Sequence, residues 1–134
     1  MVCIYCHCKT DVINSRPQKR INHTWRRRQC QGCGAVFSTT EAPDLSKSIV
    51  FRSTVRKTSP FDQDVLFVSI LQALGHRSDA ITTASALTAT IVAKLLKTAQ
   101  NAQVNRIDVV HISYEVLLNF DTAAAVHYQA YHPL

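Results

Sequence analysis

Two Cys-x-x-Cys pairs, Cys3/Cys6 and Cys30/Cys33, lie 23 residues apart at the start of this 134-residue chain. Each pair can present two thiolates from one tight knuckle, and two knuckles complete a tetrahedral Zn(Cys)4 site with Zn–S bonds of about 2.3 Å. All five cysteines fall within the first 33 residues. An odd count with no charged-then-apolar leader at Met1–Cys6 argues against a secreted disulfide framework. A redox Cys-x-x-Cys needs a thioredoxin-like strand and helix that this short segment lacks. Four thiolates close the coordination shell, so the zinc is structural, and no His-x-Glu precedes a Cys-x-x-Cys as a zinc deaminase would require. About 40 residues bury too little surface to fold alone, and metal binding on the order of 10 kcal/mol or more supplies the stability. Gly32 and Gly34 flank Cys33, where the backbone must turn sharply. Cys8 and His7 are left over; Cys8 is either a plain neighbour of the knuckle or an alternative, redox-sensitive thiol.

Between the knuckles, Asp11–Arg16 and Thr24–Gln29 read as short strands around a polar turn, and Ala35-Val36-Phe37 adds a third. The arrangement is a zinc ribbon. Arg16, Lys19, Arg20, Arg26, Arg27 and Arg28 crowd this segment, with Arg26 and Arg28 on one strand face and Arg27 on the other. Residues 1–40 carry seven basic side chains against one acid, Asp11, whereas residues 41–134 carry eight of each, so the net charge of +6 sits entirely in the first third. Guanidinium forks suit phosphate oxygens and guanine edges, and the uncompensated density predicts double-stranded DNA as partner rather than a merely solvated face. Trp25 either stacks on a ligand or covers a tiny core.

The remainder is neutral and, with 46% hydrophobic and 18% charged residues in the whole chain, globular. Its longest apolar run, Val65–Val68, has four residues, which predicts no membrane-spanning helix and a soluble intracellular protein. Ala42–Ser46 reads as a hinge, dividing a domain 1–45 from a domain 46–134. Ser48–Arg52 and Val55–Thr58 read as a hairpin around Ser53-Thr54. A first helix is expected from Ser59 as cap and Pro60 as first residue to about Leu74, with Gly75 closing it. A second is capped by Ser78, with Ile81, Ala84, Leu87, Ile91 and Leu95 inward. A third follows Asn105, with Asp108 as capping-box partner and Ile107, Val110, Tyr114, Leu117 and Leu118 as stripe. A fourth spans Thr122–Tyr131. The fold class is α+β: a small antiparallel ribbon joined to a mostly helical domain of one hairpin and about four helices.

Val12-Ile13-Asn14-Ser15-Arg16, Arg26–Cys33, Phe37-Ser38-Thr39-Thr40-Glu41, Pro60-Phe61-Asp62 and Leu71–Leu74 with Arg77 together resemble the NrdR family, bacterial repressors of ribonucleotide reductase genes. The likeness runs over nearly the whole chain and is most specific in the N-terminal motifs. It implies a DNA-binding zinc ribbon joined to an ATP-cone that binds ATP or dATP and controls oligomeric state, in the cytoplasm with the nucleoid. It further implies a nucleotide site at the hairpin, where Val50, Arg52, Arg56 and Lys57 are the candidates. The chain departs from the family there: Phe51 and Val65 stand where lysines are expected, and the hairpin glycine is missing.

Val65, Leu66, Phe67, Val68, Ile70, Leu71 and Leu74 make the first long helix apolar almost all round, so either the core surrounds it or another subunit covers its outer face. Paired subunits would place two ribbons on an inverted-repeat operator. The six histidines pair with no acid or nucleophile at motif spacing, so no enzyme is expected. The alternative to a nucleotide-controlled repressor is a ribbon that docks on DNA or protein while a degenerate cone only oligomerises.

Overall fold

In the computed structural model, which describes residues 1–133, the segment between the two Cys-x-x-Cys pairs is an antiparallel hairpin of β1 (Thr10–Gln18) and β2 (His23–Cys30). Asn22, in the connecting turn, takes φ 54°, a left-handed conformation that asparagine tolerates. β3 (Val36–Glu41) pairs with the other side of β2, giving the order β1-β2-β3. The register sets Asn14 opposite Arg27, Arg16 opposite Trp25 and Phe37 opposite Arg28. A register shift between Val12 and Asn14 fixes which β1 side chains share a face with which β2 side chains. The buried apolar residues of this unit, Met1–Pro43, are Cys3, Cys30 and Phe37, with Ala35 packed against them. Such a core is far too small to hold a fold by burial alone.

The second unit begins at Asp44. A single turn, α1 (Leu45–Ser48), leads into β4 (Val50–Thr54) and β5 (Lys57–Pro60). Then come α2 (Gln63–Ala73), α3 (Ala80–Thr98), β6 (Gln103–Asn105), α4 (Arg106–Phe120) and α5 (Thr122–Tyr131). The three strands form a sheet in the order β5-β4-β6, with β6 parallel to β4. Ile70 of α2, Ile91 and Leu95 of α3 and Leu117 of α4 are fully enclosed, and Tyr128 of α5 joins them.

Several local expectations are corrected. The hairpin strands lie two residues later than their sequence pattern suggested, and Ser59 and Pro60 end β5 instead of opening α2. Pro60 is tolerated because β5 is an edge strand, where a missing N–H breaks no ladder. The α2 cap is Asp62, whose carboxylate accepts from the N–H groups of Asp64 and Val65 at 2.9 and 3.3 Å. α3 is preceded by Asp79 rather than capped by Ser78, and neither Asp79 nor Asn105 makes a side-chain cap bond, so the capping box at Asp108 is not formed. Ile81, Ile107 and Leu118, expected inside, are exposed. Around α2, Leu66, Ile70 and Ala73 are buried while Val65 and Val68 are 63% and 48% exposed, so the chain's own core does not enclose this helix.

α3 also corrects the membrane argument. Its 19 residues reach a mean hydropathy of 1.2 and suffice, by length and composition, to cross a membrane. Scattered threonines and one serine break its apolar runs, which is why run length missed it. One face, Ala84, Thr88, Ile91, Val92 and Leu95, is buried in the helical core between α2 and α4.

Candidate metal centre and nucleic-acid interface

Both knuckles are built alike. The Cys3 N–H donates to the Cys8 carbonyl at 2.8 Å, and the Cys30 N–H donates to the Ala35 carbonyl at 2.9 Å. Just after the second cysteine of each pair stands a left-handed residue, His7 at φ 63° and Gly34 at φ 73°. Gly34 therefore meets the expected need for a sharp turn. Gly32 serves a different purpose: a Cβ there would lie 2.7 Å from the Cys8 Sγ and 2.9 Å from its Cβ, so glycine leaves room for the fifth cysteine.

The Sγ atoms of Cys3, Cys6, Cys30 and Cys33 all lie within 4.8 Å of one another, with Cys3 and Cys33 at 3.8 Å and Cys6 and Cys30 at 3.4 Å. A tetrahedron with Zn–S bonds of about 2.3 Å has edges of about 3.8 Å, so the donor set and its spacing fit a structural zinc ion. Backbone N–H groups point at the sulfurs: Tyr5 at Cys3 (3.4 Å), and Gly32 and Cys33 at Cys30 (3.2 and 3.4 Å). Such donors favour thiolates and complete the outer shell of a four-cysteine site. The Cys8 N–H, with the Cys30 thiol, brings Cys6 down to about 6. At Cys33 the Ala35 N–H favours the thiolate, but the Cys6, Cys30 and Cys3 sulfurs outweigh it and the thiol is pushed up to about 12. Four sulfurs this close repel one another once ionised, and a divalent cation is what allows all four to be thiolates. Cys8 is exposed and stands beside the tetrad without belonging to it.

The register gathers part of the basic set on one sheet face. Asn14, Arg16, Trp25 and Arg27 are cross-strand partners on that face, and the Arg16 guanidinium sits 6.0 Å from the centre of the Trp25 ring. Arg27 is exposed, and Lys19 and Arg20 are exposed in the β1–β2 turn. On the other face, Arg26 forms an ion pair with Glu41 at 2.5 Å. Arg28 donates from Nε to Thr39 at 3.4 Å and from Nη1 to Thr10 at 3.3 Å. Those two arginines are half-buried and tie the three strands together. Sequence reasoning separated the faces but missed these partners; Glu41 and Thr39, placed at cross-strand distance from β2, were the available signal.

In the helical unit a cavity of about 400 Å³ opens between the hairpin, α2, α4 and α5. Phe51 and Ser53 of β4 line it, so Arg52, between them on the strand, is directed to the opposite side. The Arg52 Nε is buried without a hydrogen-bond partner among the described residues. Arg56 and Lys57 are exposed at the hairpin tip, and Val50 lines a separate, shallower cavity of about 300 Å³. Neither of these two cavities gathers the four nucleotide candidates. Val65, the second departure from the expected basic pattern, faces the same large cavity as Phe51.

A further cluster was not anticipated from the sequence. Asp121, the N-cap of α5, receives His76 at 2.9 Å and Arg77 at 3.2 Å, and Arg77 also holds Asp79 at 2.9 Å. The His76 hydrogen bond, the Ala124 N–H and Arg77 hold the Asp121 carboxyl down at about 2. This cluster ties the α2–α3 turn to the start of α5.

Residues 1–41 match the family model described as transcriptional repressor NrdR-like, N-terminal domain. The chain is 34% identical over 129 residues to the transcriptional repressor NrdR of Maricaulis maris, covering 96% of this chain and 79% of that relative. It is 35% identical over 130 residues to the NrdR of Chelativorans sp., covering 96% and 82%. With the NrdR of Novosphingobium aromaticivorans it shares 38% identity over 78 residues, a match spanning about half of that relative, 48%. Similarity that runs through both units at this level, on top of a four-cysteine ribbon, leads to one conclusion: the chain belongs to the NrdR family of transcriptional repressors.

Proposed function

We propose that this protein is a zinc-dependent repressor that binds double-stranded DNA through its ribbon, at an inverted-repeat operator of ribonucleotide reductase genes, as a homo-oligomer in the cytoplasm. The observation that carries the reading is the basic face beside a four-cysteine site, Arg16, Trp25 and Arg27 with Lys19 and Arg20 at its tip. Guanidinium and ammonium groups there neutralise phosphates, while Trp25 gives the sheet a rigid apolar surface. Arg26 and Arg28 belong to the same reading as phosphate contacts made while bracing the strands. Among the described residues, the ion pair of a histidine with an acid is His76 with Asp121, and Asp121 is shared with Arg77 and the Ala124 N–H in a helix cap, a structural arrangement that supports no enzymatic alternative.

Two readings of the helical unit differ in the effector. The family resemblance makes ATP or dATP the ligand that sets oligomeric state, with Val50, Arg52, Arg56 and Lys57 as contacts. Phe51 and Val65 in the wall of the large cavity, with Val50, Arg52, Arg56 and Lys57 outside its lining, favour the second reading. In that reading the unit is an assembly domain that senses no nucleoside triphosphate. The deciding experiment titrates zinc-loaded protein onto labelled duplex from its own operon promoters, across a range of salt, with and without dATP. Binding that weakens steeply with salt supports the ribbon as reader, and an affinity indifferent to dATP supports the second reading. Salt-insensitive binding, or none, would overturn the DNA assignment.

A further inference from the structure

The two knuckles correspond residue for residue, and the correspondence singles out Cys8. In the first, the Cys3 N–H donates to the Cys8 carbonyl; in the second, the Cys30 N–H donates to the Ala35 carbonyl, the same distance along the chain. Cys8 therefore stands where an alanine suffices in the second knuckle, and the turn itself requires no thiol there. Gly32, which corresponds to Tyr5, has no left-handed backbone that would demand glycine. What it leaves out is a side chain in the path of Cys8. A Cβ at Gly32 would stand 2.7 Å from the Cys8 Sγ and 3.6 Å from the Cys6 Sγ, so the two sulfurs border one slot. Both of these cysteines are exposed, whereas Cys3 and Cys30 are buried.

A fifth sulfur in that slot bears on the metal. His7, left-handed at φ 63°, turns the chain back after Cys6, and the bond from the Cys3 N–H anchors Cys8 to the same knuckle. The Cys8 thiol is thus tethered beside the position that Cys6 fills. We infer that Cys8 is a zinc ligand in reserve, a second occupant of the Cys6 coordination position that takes over when Cys6 leaves it. The exchange balances: the departing Cys6 sulfur takes up a proton, the Cys8 thiol gives one up, and four thiolates are bound before and after. This matters because the ribbon's buried apolar core is only Cys3, Cys30 and Phe37, too little to keep its shape once a ligand is lost. With Cys8 in reserve, the ribbon and its basic face survive a blocked Cys6. The inference rests on the four-cysteine reading of the site and concerns how that site is kept filled.

The test uses the full chain loaded with cobalt(II) or zinc(II). Sulfur-to-cobalt charge transfer in the near ultraviolet grows with the number of bound thiolates, so its intensity counts them. Cys6→Ser should bind one cobalt per chain with the parental band intensity. It should hold zinc about ten- to a hundredfold less tightly in a chelator competition, because the Cys8 N–H that supports the Cys6 sulfur does not serve the Cys8 sulfur in the same way. Adding Cys8→Ser should remove the retained metal. On the unaltered zinc-loaded chain, a substoichiometric dose of iodoacetamide should label Cys6 as well as Cys8 with zinc retained, read by peptide mass spectrometry; this measurement depends on no variant folding. A Cys6→Ser band of about three quarters the parental intensity would mean a fourth ligand other than a thiolate, and overturns the inference. So does loss of metal from Cys6→Ser, metal retained by the double variant, or label confined to Cys8. A parent chain that takes up neither metal overturns the four-cysteine reading itself, and the inference with it.

Discussion

Replacing Arg27 with alanine isolates one charge of the basic face from the fold that carries it. Arg27 is exposed on the central strand, and no hydrogen bond or ion pair involves its side chain among the described residues. Surface substitutions of this kind change stability by less than about 0.5 kcal/mol. If the guanidinium meets one phosphate, its loss removes a charge-assisted hydrogen bond of about 1.5–3 kcal/mol, or roughly ten- to a hundredfold in affinity. The same contact contributes about 0.9 to the slope of log K against log salt. A fourfold rise in salt should therefore separate the variant from the parent by about 3.5-fold less than the intrinsic gap, because the parent has one more counterion interaction to lose. The assay is fluorescence anisotropy on a labelled promoter duplex at several salt concentrations, with zinc content and thermal melting measured on the same preparations. Arg28→Ala is the comparison, since it also breaks the bonds to Thr39 and Thr10 and should lower the ribbon's melting temperature as well as its affinity. An Arg27→Ala protein with full zinc, parental affinity and an unchanged salt slope would refute the assignment of this face to DNA.

Cys30→Ser should abolish stoichiometric zinc and the ribbon's fold while leaving the helical circular dichroism, because the second unit has its own core; unchanged zinc content would refute the four-cysteine site. Gly32→Ala should weaken zinc in a chelator competition by driving a Cβ into Cys8, and adding Cys8→Gly should restore it. Asp121 is favoured as the carboxylate in the fold, so its contribution is complete above its ordinary value near 4 and fades as pH falls toward about 2. Asp121→Asn should accordingly flatten the acid limb of the stability curve, measured by urea unfolding between those values. Thr88→Val should raise stability by about 1 kcal/mol, a few degrees in melting temperature, because the buried Thr88 hydroxyl has no hydrogen-bond partner among the described residues. Destabilisation by that change would show the hydroxyl to be paired.

Cysteine spacing carried the ribbon because metal ligation is a local constraint: Cys-x-x-Cys leaves a knuckle little choice, and the intervening residues must bridge the two knuckles as strands. The last helix, Thr122–Tyr131, was equally legible, since Asp121 and the run of alanines mark its start. Pairings between distant segments were not. β6 is three residues long and exists only because β4 lies beside it, so no local periodicity announces it. Ser59-Pro60 carries a good helix-start pattern, yet Pro60 pairs with Val50, and the next residue, Phe61, donates to the Ile49 carbonyl at 3.0 Å. Tertiary hydrogen bonds moved the boundary two residues, to where Asp62 could cap. Strand alternation already put Arg26 and Arg28 on one face of β2 and Arg27 on the other, but only the pairing with β1 and β3 shows that the first two brace the strands through Glu41, Thr39 and Thr10 while Arg27 stays exposed.

The division of charge between the two units restricts how an effector can act. The excess positive charge lies wholly in residues 1–40, and the zinc tetrad, not the helical core, holds that segment in shape. A ligand in the helical unit changes neither that charge nor the metal's ligands. On the proposed reading, what it can change is how many ribbons face one duplex. Joining two weak readers multiplies affinity by about 10² to 10⁴ through effective concentration alone, with no new contact at either half-site. The two half-sites must then lie a whole number of helical turns apart, about 10–10.5 base pairs each, on one side of the DNA. Inserting five base pairs between them should therefore abolish the gain from assembly, and inserting ten should restore most of it. Equal affinity for all three spacings would mean that each ribbon binds by itself, and that the helical unit plays no part in reading the operator.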